Sequence, residues 1–207
     1  MATPARPTPG RPTGIRGTGA QTRADAQRIA LELFTTRGYE ATSLREIAER
    51  LGVSKAALYY HFANKEDILR SLMAARGTEA AELVAWVRAE LAEAAAPPRD
   101  LAERAVLRWV ETVSVDKLRG IRFLLANPTL LRGEGSRAIG DGLEAAATLV
   151  AGPSPDPTRL LLIRMAFLSI NAAVAAARGT ALSDEQIVAA ARESALALLV
   201  RLREPTA

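Results

Sequence analysis

The sequence predicts an all-α protein in which a three-helix helix-turn-helix domain is joined to a larger helical domain. Three observations carry this. Ala and Leu dominate a chain of 207 residues that is 49% hydrophobic and only 4% aromatic, which favours helix over sheet and suffices for a sizeable core. From Thr22 onward apolar residues recur at three- and four-residue spacing, with no strand pattern of comparable length. Ser, Asn and Gly stand where helices should begin and end.

The elements follow in order. Residues 1–20 mix Pro, Gly, Thr and Arg without periodicity and read as a flexible basic arm. Its Arg6, Arg11 and Arg16 either reach a DNA minor groove or stay solvated. A first helix from about Thr22 carries Ala26, Ile29, Ala30, Leu33 and Phe34 on one face and stops at Gly38. Ser43 with Glu46 forms a capping box for a second helix, whose stripe is Leu44, Ile47, Ala48 and Leu51. Gly52 ends it, and Ser54 caps a short third helix through His61. Asn64 caps a fourth, with Ile68, Leu69, Leu72 and Met73 inward. Beyond Gly77, helices are expected at about Ala80–Ala95, Arg99–Val115, Arg119–Ala126 and Ser136–Val150. Two apolar ones follow, Pro157–Arg178 and Ser183–Arg203, the last opened by a Ser183–Gln186 capping box. The expected domains are thus the arm (1–20), the helix-turn-helix (21–76) and the helical remainder (77–207).

Composition excludes several functions. With no cysteine, disulfides, thiolate catalysis and zinc–thiolate sites are ruled out, and the single histidine, His61, leaves a metal centre to carboxylates alone. No Gly-rich phosphate loop precedes a helix, and nucleophile–base pairs are scarce. Neither an enzyme nor a cofactor is expected. The first twenty residues lack an apolar signal core, and Leu160–Ala177 is interrupted by Arg164 and Asn171. A cytoplasmic protein with no membrane partner is the expectation. Residues 1–76 hold 12 Lys/Arg against 7 Asp/Glu, whereas the rest holds 15 against 16. A basic front on a neutral body points to a polyanion partner or to a solvated tail.

The spacing of Ala48, Gly52 and Leu58 has a physical meaning that bears on that choice. Two helices crossing steeply through a tight turn need a small residue at the contact and a backbone tolerant of positive φ. Val53 and Leu58 then lock Lys55–His61 onto the second helix with its amino end forward, as a recognition helix enters a major groove. Lys55 suits a phosphate or guanine edge, Ala56 permits close approach, and Tyr59 and Tyr60 suit phosphate and sugar contacts. Lys65 adds charge at a helix amino end. The ordinary alternatives are a core aromatic for Tyr59, a helix-end cap for His61, and solvated surface charges for Lys55, Lys65 and Arg45.

The run Ala41–Leu69, ATSLREIAERLGVSKAALYYHFANKEDIL, preceded by LFTTRGYE at Leu33–Glu40, closely resembles the DNA-binding domain of TetR-type transcriptional regulators. The resemblance covers about a quarter of the chain. It implies an operator-binding amino-terminal domain and an all-helical effector-binding and dimerisation domain. It also implies DNA contacts at Ser43, Arg45, Ser54, Lys55, Ala56, Tyr59, Tyr60, His61 and Lys65. The expected partners are double-stranded DNA carrying a palindromic operator, a second copy of the chain packed through the last two helices, and a small apolar effector. A repressor released by that effector is the leading expectation; an activator, or a regulator without a ligand, shares the fold. Trp86, Trp109, Phe123, Arg164, Met165, Phe167 and Asn171 are the candidate pocket residues, with Arg164 and Asn171 to orient the ligand. The competing reading is that they fill the core.

Overall fold

A computed structural model describes residues 18–95, 97–132 and 134–200. The carboxy-terminal turn expected to Arg203 and most of the arm, with Arg6, Arg11 and Arg16, lie outside them. All regular structure among the described residues is helical: α1 (Gly19–Thr36), α2 (Leu44–Leu51), α3 (Lys55–His61), α4 (Lys65–Glu93), α5 (Leu101–Glu111), α6 (Val115–Ala126), a 3₁₀ turn (Pro128–Arg132), α7 (Glu134–Ala151), α8 (Pro157–Phe167), α9 (Ser169–Ala176) and α10 (Asp184–Val200).

The caps explain most boundaries. Ser43 accepts from the Glu46 N–H while the Glu46 carboxylate takes the Ser43 N–H at 2.8 Å, closing the expected box. Ser54 and Asn64 accept from the Ala57 and Asp67 amides, so α3 and α4 start as the sequence predicts. Thr18 caps α1 through Gln21, which starts it a turn early, inside the segment read as arm. Ser114 likewise caps α6 through Lys117 and lengthens it at its amino end. Ser183 and Gln186 exchange the reciprocal bonds of the α10 box.

Two helices differ more from expectation. α4 runs unbroken through Gly77, where two helices were expected. A mid-helix glycine costs about 1 kcal/mol relative to Ala; here the helix packs tightly against α7, where a Cβ on Gly77 would stand 3.2 Å from that of Ala138. The seam continues in both directions. A Cβ on Gly142 would lie 2.7 Å from the Ala80 Cβ, and one on Gly135 2.5 Å from the Met73 Cβ. Conversely, the single helix expected over 157–178 is two, α8 and α9, bent by 56° at Leu168. The bend sends α9 across both α6 and α10. No single described helix is long and apolar enough to cross a membrane.

Two hydrophobic clusters result. One joins α1–α3 to the start of α4 around Phe34, Ile47, Leu58, Phe62 and Ile68 and borrows Phe123 from α6. The other fills the body between α4, α5, α7, α8, α9 and α10, around Val87, Val106, Trp109, Ile163 and Phe167.

Candidate nucleic-acid interface and adjoining cavity

α2 and α3 meet across Gly52, whose φ of 75° is the left-handed conformation that glycine adopts without a Cβ penalty. The Gly52 and Val53 amides both donate to Ala48, which closes the turn. Leu58 and Phe62 are fully buried and fix α3 from beneath. Arg23 of α1 adds a brace: its guanidinium donates to the His61 carbonyl at 2.8 Å and lies 4.4 Å over the Phe62 ring. Nothing in the sequence pattern singled out Arg23.

The outer side of α3 is left free. Lys55, Ala56 and Ala57 are exposed, as are Tyr59 (45%) and Tyr60 (87%). Lys55 Nζ stands 5.3 Å over the Tyr59 ring, so cation and aromatic share one edge. Tyr59 is therefore not a core aromatic. Ser43 and Ser54 are exposed caps at the amino ends of α2 and α3. Arg45 projects from α2 in an exposed pair with Glu49 at 2.8 Å, whose hydrogen bond raises its pKa above the ordinary arginine value. His61 is half-buried; its ring packs edge-on against Tyr60 and caps no carbonyl among the described residues.

Lys65 departs from the picture of a solvated ammonium. Its side chain is only 19% exposed. Nζ donates to the Tyr39 carbonyl at 2.8 Å, pairs with the Glu40 carboxylate at 3.2 Å and lies 4.3 Å over the Tyr39 ring. It ties the α1–α2 loop to the start of α4. Tyr39 itself is buried, which pushes its phenol pKa above the ordinary value, and the Glu66 and Glu40 carboxylates act in the same direction.

Behind this module lies a cavity of about 490 Å³, walled by α1, α4, α6 and α7 and reaching Trp109 and the α8–α9 bend. That volume falls within the usual range for small-molecule sites. Leu31, Leu72, Ile121 and Leu143 supply much of the apolar wall. Of the residues expected to line a pocket, Trp109, Phe123 and Asn171 do so. The other four lie elsewhere. Trp86 packs under Arg104 and Arg108. Arg164 is held by Glu144 on the surface, whose hydrogen bond raises its pKa. Met165 is exposed, and Phe167 is sealed in the body core. A polar residue in an apolar helix marks a solvent-facing side as readily as a pocket, and α8 shows the former.

The cavity's charged groups come instead from α1, which supplies Arg28, and from α4 and α6. Arg76 and Glu79, one turn apart, form an ion pair, and Lys117 reaches the same Glu79 carboxylate at 2.8 Å. The Arg76 side chain is 15% exposed, with its guanidinium 4.0 Å over Trp109. Their spacing carries no signature, because the site forms only when α4 and α6 pack.

Residues 28–72 match the family model described as "Bacterial regulatory proteins, tetR family". Over 45 residues the chain is 51% identical to the tetracycline repressor protein class C of Escherichia coli, covering 22% of this chain and 20% of that protein. Over 41 residues it is 46% identical to the biofilm operon icaADBC HTH-type negative transcriptional regulator IcaR of Staphylococcus epidermidis, covering 20% and 22%. The matched part thus spans under a quarter of the length of either relative. The whole fold is similar to the crystal structure of AmtR from Mycobacterium smegmatis, with a TM-score of 0.60 and 24% identity over 93% of this chain and 89% of that one. Residues 28–72 thus carry a module similar to that of the tetR family of bacterial regulatory proteins, on a body whose all-helical fold is similar to that of AmtR.

Proposed function

We propose that the chain is a DNA-binding transcriptional regulator that works as a homodimer on a palindromic operator and answers to a small hydrophobic molecule held in the cavity. The observation that carries this is α3. It is anchored by Leu58 and Phe62 and braced by Arg23, and its other side offers Lys55, Ala56, Tyr59 and Tyr60 to solvent. In a major groove Lys55 takes a phosphate or a guanine edge, the alanines allow close approach, and the tyrosines contact phosphate and sugar. Ser43, Arg45, Ser54 and His61 border that surface. Lys65 acts there chiefly by holding the Tyr39–Glu40 loop, and reaches a phosphate only by giving up Glu40.

The dimer reading rests on an uncovered apolar face. Leu161 and Met165 lie one turn apart on α8 and are about half exposed, as is Val200 on α10. Ala190 and Ala197 add small exposed positions on α10 that permit close helix approach. Packing these faces about a two-fold axis would set two α3 helices roughly 34–36 Å apart, or a multiple of that. The cavity touches both α1 and α4, so a ligand that prefers one spacing of the two modules lowers operator affinity by the coupling energy. Repression relieved by the ligand is the favoured sign, as the names of the tetracycline repressor and IcaR suggest.

Selection of bound DNA from a random pool tests the reading. A sequence with dyad symmetry is expected, and Tyr60→Ala should weaken its binding about tenfold, the scale of one lost base-edge or phosphate contact. A winner without symmetry would refute the dimer on its operator, and full affinity in the variant would remove Tyr60 from the interface.

A further inference from the structure

The charged groups around the cavity do not balance. Three cations and two carboxylates line it: Arg28, Arg76, Lys117, Glu79 and Asp116. Arg28 is offset by Asp25 outside the wall, and Asp116 by Arg119, both at 3.3 Å or less. This leaves Arg76 and Lys117 sharing the single carboxylate of Glu79. Lys117 also donates to the Thr112 carbonyl at 2.7 Å. Arg76 is the less satisfied of the two. Its one hydrogen bond among the described residues goes to Glu79, although a guanidinium carries five N–H donors. Burial lowers its pKa below the ordinary arginine value even though Glu79 pulls the other way. The rest of the wall is mostly apolar, with Leu72, Ile121 and Leu143 facing the same space.

We infer that the ligand of this cavity is an amphiphilic monoanion, a carboxylate whose head seats on Arg76 beside Lys117 and whose apolar body fills the space between α4, α6 and α7. The charge complement is specific. A neutral apolar ligand leaves the guanidinium donors unpaired, which costs binding energy. A cation adds a like charge to a site that already holds a surplus of one. A planar carboxylate matches the fork of Arg76 in a bidentate bond. The head would then lie between α4 and α6, the second of which also carries the aromatic contact with α1.

The inference rests on the cavity being the effector site, and its test separates the two. The full chain is titrated calorimetrically with decanoate and with naphthoate, and in parallel with decanol and decylamine; the same compounds are then added to the chain bound to its selected DNA. Carboxylate binding at least tenfold tighter than the alcohol, with the amine weakest, is the expected result. Arg76→Met, which keeps the apolar stem over Trp109, should erase that preference by about tenfold or more, the worth of a charge-assisted hydrogen bond. Glu79→Gln should sharpen it, because the surplus becomes two, and this second variant keeps the test alive if Arg76→Met does not fold. Alcohol binding as tight as carboxylate, amine preference, or no binding of either carboxylate would overturn the inference. Carboxylate binding that leaves DNA affinity unchanged would uphold the ligand class and refute only the regulatory reading.

Discussion

The two hydrophobic clusters share α4 but are closed by different means. In the amino-terminal cluster the closing pieces are rings. Phe34 packs edge-on to Tyr39 at 4.9 Å and stacks on Phe123 at 5.6 Å. Phe123 belongs to α6, so the module's core is completed by the body. In the body cluster the closing pieces are small: Ala80, Ala146 and Ala147 are fully buried near the glycine seam of α4 and α7. A seam of backbones in contact is strained by an added side chain, whereas a ring contact is lost when the ring is truncated. The α4–α7 seam leaves no space for an added side chain, whereas the module is joined to α6 through side chains, Phe123 foremost with Leu124 beside it.

The largest expected effect breaks the aromatic closure. Phe123→Ala should cost about 3–5 kcal/mol in urea denaturation, as for other buried phenylalanines. A cost below about 1 kcal/mol would mean that Phe34 and Tyr39 close the module unaided. Next comes the seam. Gly142→Val should cost about 1–3 kcal/mol through overpacking against Ala80, and adding Ala80→Gly should recover part of it. No recovery would place the strain elsewhere. Smaller still is the loss of a cap. Ser43→Ala should cost about 1 kcal/mol without touching either closure, which makes it the control for both.

The smallest effect is one of pH. The backbone N–H and the hydroxyl of Ser43 hold the Glu46 carboxyl below its ordinary pKa, with Arg37 adding to the effect. A depressed folded pKa means that this support is complete above the unfolded carboxylate value of about 4.3 and is lost as pH falls through the lower folded value. An NMR titration should show Glu46 moving back toward the ordinary value in Ser43→Ala. An unmoved titration would assign the shift to Arg37.

The difference between the clusters also explains what the sequence made legible. Ser43, Gly52, Ser54 and Asn64 act within a few residues of themselves, so their patterns announce α2, α3 and the start of α4. The exposed edge of α3 follows from the same short stretch. The α8–α9 bend has no Pro or Gly to mark it at Leu168 and comes from packing against α6 and α10. The cavity draws on helices far apart in the chain, and Arg76, Glu79 and Lys117 become neighbours only after folding. Arg164 and Met165 stood out in the sequence for a real reason, the uncovered face of α8, but one unrelated to the cavity. Gly77 looked like a terminator because the pattern shows glycine's local cost and hides the close neighbour across the seam.

The unbroken run of α4 through Gly77 makes it a lever. Glu79 at the cavity and Lys65 beside the Tyr39–Glu40 loop are separated by about 21 Å of continuous helix at 1.5 Å per residue. A tilt of α4 and α7 together by roughly a tenth of a radian about the cavity end would carry the Lys65 end through about 2 Å. A hinge at Gly77 would have absorbed that motion. With that glycine leaning on α7, a small change around Arg76 would be carried along α4 to its start, just after α3.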